Sequence, residues 1–306
     1  MTLVTLGETM AVLSTPGTGL LRHARSLDLG VAGAEATVAI GATRLGLPST
    51  WVGRVGDDEF GALVRMTLAG QGVGVEHVRT DPEAPTGLMI KEHRTGAITR
   101  VTYRRTGSAG SRVAPQDVPP LKGAAVLHVT GITPALGEPP RAAVRTAVER
   151  ARAAGVLVSV DLNHRASLWP SATDAVAEYR WLVAHADVLF ATEPEAALLT
   201  DGGPAALAAL GPSEVLVKRG AAGATAIICG EVLEAPVFAV DVVDPVGAGD
   251  AFAAGYLAER VRGASPAERL RTAAAAGAFA VTVAGDWEGL PTRAELAQLG
   301  AQDVRR

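Results

Sequence analysis

The run Asp244-Pro-Val-Gly-Ala-Gly-Asp250 sets a carboxylate directly behind a glycine-rich turn, and the Ala-rich stretch that follows it to Glu259 favours helix. Gly247, Ala248 and Gly249 therefore fall at a helix N-terminus, where backbone N–H groups without intrahelical partners and the helix dipole together favour negative charge. Small side chains there let a phosphate approach the backbone. Asp250 would repel such an anion unless it has a chemical task, and accepting the proton of an attacking hydroxyl is the task that fits. On spacing alone, an ordinary acidic residue in a first helical turn reads the same way.

Three more polar clusters follow short apolar runs: Asp161-Leu-Asn-His-Arg165, Thr192-Glu-Pro-Glu195 and Lys218-Arg-Gly-Ala-Ala-Gly-Ala224. The runs before them, with Val126–Thr130, alternate with helical segments, which predicts a parallel sheet covered by helices on both faces. In such a sheet ligands sit at the carboxyl ends of the strands, where all three clusters fall. Gly220 and Gly223 behind Lys218 are suited to close passage of a nucleotide, and equally to a plain hairpin turn.

A different pattern holds from Thr86 to Arg105. Two extended runs flank Arg94-Thr95-Gly96, a hairpin signal outside the strand–helix rhythm that suits a small lid sheet. Period-two alternation puts Tyr103 and Arg105 on one face. A ring packing on sugar carbons beside a guanidinium fork would hold a carbohydrate acid, whereas an exposed strand with solvated arginines would share the pattern.

The elements that must carry these groups are legible along the chain. Leu3–Leu6 and Met10–Leu13 read as strands, a helix opens at Ala32-Gly33-Ala34 and stops at Gly46, and Trp51–Gly56 is a strand running into a helix capped by Asp57 or Asp58. Later helices are expected over 141–154, from Asp250 to about Val261, and over 266–284. With 306 residues and 48% hydrophobic content, the chain reads as one domain, 1–306, with lid excursions at about 10–30 and 86–112. The net charge of −4 is spread along the chain without a basic stripe, so a small metabolite is the expected partner and nucleic acid is not. The N-terminus reads as a first strand rather than a signal peptide, and no apolar stretch approaches the roughly 20 residues of a membrane span. The one cysteine, Cys229, lies beside Ile227 and Ile228 and is expected to be a buried thiol, in keeping with a reducing cytoplasm. A Gly-x-x-x-x-Gly-Lys phosphate loop, a Gly-x-Gly-x-x-Gly dinucleotide turn, a His-Glu-x-x-His zinc motif and a Gly-x-Ser-x-Gly elbow are all absent.

Asp244-Pro-Val-Gly-Ala-Gly-Asp250, with Ala251, Phe252 and Gly255, closely resembles the C-terminal signature of the PfkB, or ribokinase-like, carbohydrate kinases, and matching stretches extend from Gly7 to about Pro291. Tyr103-Arg104-Arg105 followed by Gly107-Ser-Ala is similar to the branch of that family acting on 2-keto-3-deoxygluconate. The resemblance implies a ribokinase-like α/β fold with a mostly parallel, Rossmann-like sheet and a β-sheet lid. It implies transfer of the γ-phosphoryl of ATP to a sugar acid with Mg²⁺, leaves room for a monovalent cation, and suggests a homo-oligomer that pairs lids. Asp250 would be the base and Gly247 to Gly249 the anion hole. Asn163 matches a position near the phosphates, Arg165 one near the substrate acid, Glu195 the family's magnesium-linked acid, and Lys218, Gly220 and Gly223 its nucleotide loop. Gly33 and Asp286 match sugar-contact positions, and Thr37 stands where the family carries an Asn that contacts the sugar. Fructokinase, ribokinase or an inactive sugar-binding regulator are the alternatives. A neutral sugar would leave both arginines without a charged partner, and a regulator has no use for a base.

Overall fold

A computed structural model of the chain describes residues 1–95 and 98–299. Gly96 and Ala97 of the expected hairpin and the terminal Arg305 and Arg306 lie outside the described residues. In chain order the first half holds β1 (Leu3–Leu6), β2 (Met10–Ser14), β3 (Asp28–Ala32), α1 (Ala34–Arg44), β4 (Ser49–Gly56), α2 (Glu59–Gly70), β5 (Val78–Asp81), β6 (Leu88–Thr95), β7 (Ile98–Arg104) and β8 (Val126–Thr130). The second half holds α3 (Glu138–Ala153), β9 (Leu157–Asp161), α4 (Ala172–His185), β10 (Val188–Thr192), α5 (Glu193–Ala197), α6 (Gly203–Ala208), β11 (Glu214–Lys218), β12 (Ala224–Ile228), β13 (Glu231–Ala235), α7 (Ala248–Arg262), α8 (Pro266–Ala280) and α9 (Arg293–Leu296).

Among the described residues the strands form two sheets. The larger runs in the order β13-β12-β11-β10-β9-β8-β1-β4-β5, parallel from β11 to β5 and antiparallel only where β12 and β13 close one edge. Its central strands are mostly apolar and almost wholly buried, as strands covered on both faces must be. On one face they pack against α3 and α4 through Val144, Ala147, Tyr179 and Leu182, and on the other against α7 through Phe252, Tyr256 and Leu257. A Cβ at Gly255 would sit 2.9 Å from the Cα of Ala273, so glycine is what lets α7 and α8 lie against each other.

The smaller sheet, β3-β2-β6-β7, is assembled from the two excursions expected for a lid. Met10, Val12, Ala32 and Met89 form its apolar inner face, while β7 is exposed along most of its length. The sheet is mixed, with β2 and β6 parallel between two antiparallel outer pairs, and its one-sided pattern is that of a sheet with one wet face. Since β1 and β2 belong to different sheets, the Gly7–Thr9 link is where the chain crosses from body to lid.

Several boundaries differ from the sequence reading. The helix expected from Arg141 starts at Glu138, because Pro139 and Pro140 are accommodated in a first turn that needs no backbone donors. The last long helix ends at Ala280 rather than Ala284. Cys229 is exposed, not buried: it occupies the tight turn between β12 and β13, with φ of +52° beside Gly230 at +87°. Two successive left-handed residues are what a two-residue hairpin demands, and that geometry overrides the apolar neighbours. Among the described residues no helix is long and apolar enough to cross a membrane.

Candidate active site

The carboxyl ends of β1, β8, β9, β10 and β11 converge beneath the lid sheet and, with the N-terminus of α7, enclose a cleft of about 870 Å³. Gly247 is the N-cap of α7, with φ of +78°, and a Cβ there would overlap the carbonyl oxygen of Asp286. Only glycine satisfies both constraints. Ala248, Gly249 and Asp250 are the first three helical residues and all face the cleft, so the unpaired N–H groups expected from the motif are present in the cleft wall. Lys218 at the end of β11 reaches the same place: its Nζ would lie 3.1 Å from a Cβ at Gly249.

A chain of polar contacts runs behind this turn. Lys218 Nζ donates to Asp161 Oδ2 at 2.5 Å, Asp161 Oδ1 accepts from the Asn163 amide at 3.2 Å, and Asn163 Nδ2 donates to Asp250 Oδ1 at 3.3 Å. Asn163 adopts φ of +38°, a left-handed turn tolerated by Asn, which swings its side chain from β9 toward α7. Burial pushes the Asp250 carboxyl well above the usual range; Asp161 pushes the same way, while Lys218 opposes. Burial alone would lower the Lys218 ammonium, but the Asp161 carboxylate outweighs it and Lys218 is held charged. A base that keeps its proton more readily than an ordinary Asp, beside a fixed cation and a ring of amides, can take a proton from an alcohol while phosphate charge is held next to it.

Glu195 also lines the cleft. It belongs to the first turn of α5, and its two oxygens accept from the backbone N–H of His164 at 2.8 Å and of Thr192 at 2.7 Å. One lone pair on each oxygen remains, enough to orient water but not to form a cation cage, and no three His, Cys, Asp or Glu side chains converge on a metal position among the described residues. Gly220 and Gly223 connect β11 to β12 in left-handed conformations, and the loop they make lines the cleft. The hairpin alternative for this segment holds, and the same connection supplies a glycine wall to the cleft. Opposite it, Ala274, Gly277 and Ala278 of α8 present a flat, small-residue surface.

The lid sheet supplies another part of the cleft wall. Tyr103 and Arg105 face the cleft together, with the Arg105 guanidinium 5.5 Å from the Tyr103 ring centre, as the alternation requires. Gly33, the N-cap of α1, lines the cleft because a Cβ there would press on the Glu8 carbonyl at 2.6 Å. Asp286 also lines it and forms a short ion pair with Lys91 of β6. Burial raises the Asp286 carboxyl, with Lys91 opposing. Arg165 is exposed to the cleft, its Nη1 donating to the His164 carbonyl at 3.2 Å. Thr37 is not brought to the cleft: it is buried in α1 and its hydroxyl has no partner among the described residues.

Three charged cleft residues escaped the sequence reading, Glu8, Glu35 and Lys91, and Asp161 was read only within its polar cluster, without a role of its own. Glu35 is buried in α1, its Oε1 accepting from Thr130 and Thr133 at 2.7 and 2.8 Å, and burial raises its carboxyl. A usable signal existed for three of these four. Glu8 and Asp161 stand at carboxyl ends of strands, and Lys91 shares the inward face of β6 with Met89 at a spacing of two.

The model of the pfkB family carbohydrate kinases matches residues 2–293. The chain belongs to the PfkB family. Within it, the chain is 36% identical to a 2-dehydro-3-deoxygluconokinase of Thermoproteus tenax, over 98% of this chain and 94% of that protein. It is 34% identical to a fructokinase of Klebsiella pneumoniae, over 95% of this chain and 96% of that one. Among solved structures, a putative ribokinase II from E. coli, in complex with ATP and Mg²⁺, superposes with a TM-score of 0.89 at 26% identity, covering 97% of this chain and 98% of that one. The ribokinase-like fold, the separate small sheet and carbohydrate kinase activity expected from the glycine-rich signature all agree with these relatives.

Proposed function

We propose that this PfkB kinase transfers the γ-phosphoryl group of ATP to a hydroxyl of a small sugar acid, 2-keto-3-deoxygluconate, giving the 6-phosphate. The observation that carries the reading is charge pairing in the cleft: Lys91, Arg105 and Lys218 are each bound to an internal carboxylate, whereas Arg165 has no carboxylate within ion-pair distance among the described residues. An unpaired guanidinium facing the sugar side awaits an anion, and a sugar acid supplies one. The similarity to the T. tenax enzyme points the same way.

Asp250 would accept the hydroxyl proton as the alcohol oxygen bonds to the γ-phosphorus and the bond to the bridging oxygen breaks, releasing ADP. The amides of Gly247, Ala248 and Gly249, with Lys218, would hold the transferring group, and Asn163 would keep the Asp250 carboxylate in place. Mg²⁺ would neutralise phosphate charge, with Glu195 meeting it through water. Gly220, Gly223 and the small residues of α8 would wall the nucleotide, and Tyr103, Arg105, Gly33 and Asp286 the sugar. The reading also takes in a homo-oligomer assembled through the lid sheet, a single domain over 1–306 and a cytoplasmic location.

A neutral sugar is the second reading. It is favoured by the pairing of Arg105 with Glu8, which leaves that arginine no net charge to offer, and by the similarity to the K. pneumoniae fructokinase. ADP release with Mg-ATP over 2-keto-3-deoxygluconate, gluconate, fructose and ribose tests both. A preference for the keto-deoxy acid that Arg165→Ala abolishes, with residual neutral-sugar turnover untouched, supports the acid. A fructose preference indifferent to Arg165→Ala overturns it, and absence of turnover with any sugar would leave only a sugar-binding role.

A further inference from the structure

We infer that Glu8 is a positioning residue that fixes Arg105 so that one edge of its guanidinium is presented to the sugar. The inference rests on the kinase reading above. Glu8 sits at the crossing from β1 to the lid, and its carboxylate is buried. Oε2 accepts from Arg105 Nε at 2.7 Å and lies 2.5 Å from Nη2 in an ion pair, and Oε1 accepts from Ser108 Oγ at 2.5 Å. The chain clears a slot for this one side chain. A Cβ at Gly110 would overlap Glu8 Cγ, one at Gly87 would lie 2.8 Å from Oε1, and one at Gly33 would lie 2.6 Å from the Glu8 carbonyl oxygen. Those glycines come from three separate segments, Gly87 and Gly110 facing the Glu8 side chain and Gly33 its backbone.

The geometry of the fork gives the consequence. A guanidinium has five N–H donors in one plane, and Glu8 accepts from Nε while the same oxygen stands in ion-pair contact with Nη2. Nη1 and the second Nη2 proton have no partner among the described residues, and Arg105 lines the cleft. The outer edge of the fork, with one proton each of Nη1 and Nη2 in parallel, therefore remains for a ligand, held in a plane set by Glu8 rather than by the ligand. With its charge balanced internally, Arg105 selects by the direction of these two bonds, and the net positive charge offered to the sugar comes from Arg165. Glu8 does not touch the reacting atoms; it acts through Arg105.

A double-mutant cycle of Glu8→Gln and Arg105→Ala, run with Mg-ATP on whichever sugar the wild type phosphorylates best, tests this. Glu8→Gln is expected to raise the sugar KM about tenfold with kcat within about twofold and the KM for ATP unchanged. In the Arg105→Ala background the same change should add nothing, and Glu8→Asp should recover part of the loss. Effects of Glu8→Gln and Arg105→Ala that multiply in full, or a fall in kcat at constant sugar KM, overturn the inference. Should Glu8→Gln unfold below assay temperature, Ser108→Ala, which removes only the hydroxyl holding Glu8, reads the same coupling. A wild type that prefers a neutral sugar defeats the sugar-acid reading while the cycle still decides Glu8, and no turnover with any sugar defeats both.

Discussion

Replacing Asp250 with Asn removes a proton acceptor while leaving its surroundings nearly intact. The Asn side-chain oxygen can still accept from Asn163 Nδ2, now 3.3 Å from Asp250 Oδ1, and the first turn of α7 is unchanged. What is lost is proton transfer, about 10²- to 10⁴-fold in kcat for a general base, or roughly 3 to 5 kcal/mol of barrier. Two further consequences follow from the electrostatics. The wild-type rate should rise with pH along an acidic limb lying above the ordinary carboxylate range, because burial and Asp161 raise this carboxyl, and Asp250→Asn should lack that limb. A folded-state pKa above the unfolded one means that the native protein binds the proton more tightly, so this group's contribution to stability is complete below the unfolded pKa and is lost as pH rises through the folded one. At neutral pH the charge at position 250 therefore costs stability, and Asp250→Asn should melt at a higher temperature than the wild type. Single-turnover phosphoryl transfer between pH 5 and 9, as about the accessible range for a stable kinase assay, and thermal unfolding at pH 7 measure all three. Turnover within about tenfold of the wild type, or an acidic limb that survives the substitution, would refute the role of base.

Other consequences can be checked in the same way. His128 is fully buried in β8, where burial and then Lys218 lower its pKa to about 3; the unfolded chain takes up a proton below about 6.5, so stability should be constant above that pH and fall by about 2 kcal/mol by pH 5, a loss that His128→Leu should largely abolish in urea titrations at the two pH values. Gly247→Ala puts a Cβ onto the Asp286 carbonyl at a left-handed φ, and should cost more than the 1 to 2 kcal/mol, roughly, of the left-handed conformation alone, together with a loss of kcat; unchanged melting and turnover would show that this turn is not constrained. Lys218→Met strands the buried Asp161 carboxylate and should destabilise by about 3 kcal/mol or more, with Asp161→Asn in the same chain restoring part of the melting temperature but not the rate.

The parts of the site that were legible in the sequence are those encoded by short-range physics. A glycine turn before an Ala-rich run specifies a helix N-terminus wherever it occurs, so Gly247 to Asp250 landed as read, and period two fixed Tyr103 and Arg105 on one face before any fold was known. Strand and helix alternation gave the parallel sheet, and with it the wall on which Asn163, Arg165, Glu195 and Lys218 gather. Cys229 failed for the opposite reason: its apolar neighbours argued for burial, but a two-residue turn has no inside.

Charge pairing is where spacing carries no information. Glu8 and Arg105 are 97 residues apart, Lys218 and Asp161 57, and Lys91 and Asp286 195, and each pair exists only because the fold brings distant segments together. Such pairs change the chemistry and not merely the inventory. In the sequence Arg105 and Arg165 are two equivalent candidates for one carboxylate. In the fold one is bound edge-on by a buried acid and the other is not, so the first can direct a ligand and the second can attract it. On the proposed function, selectivity for an acidic over a neutral sugar would therefore hinge on Arg165, and the orientation of either sugar beneath the lid on Glu8 and Arg105.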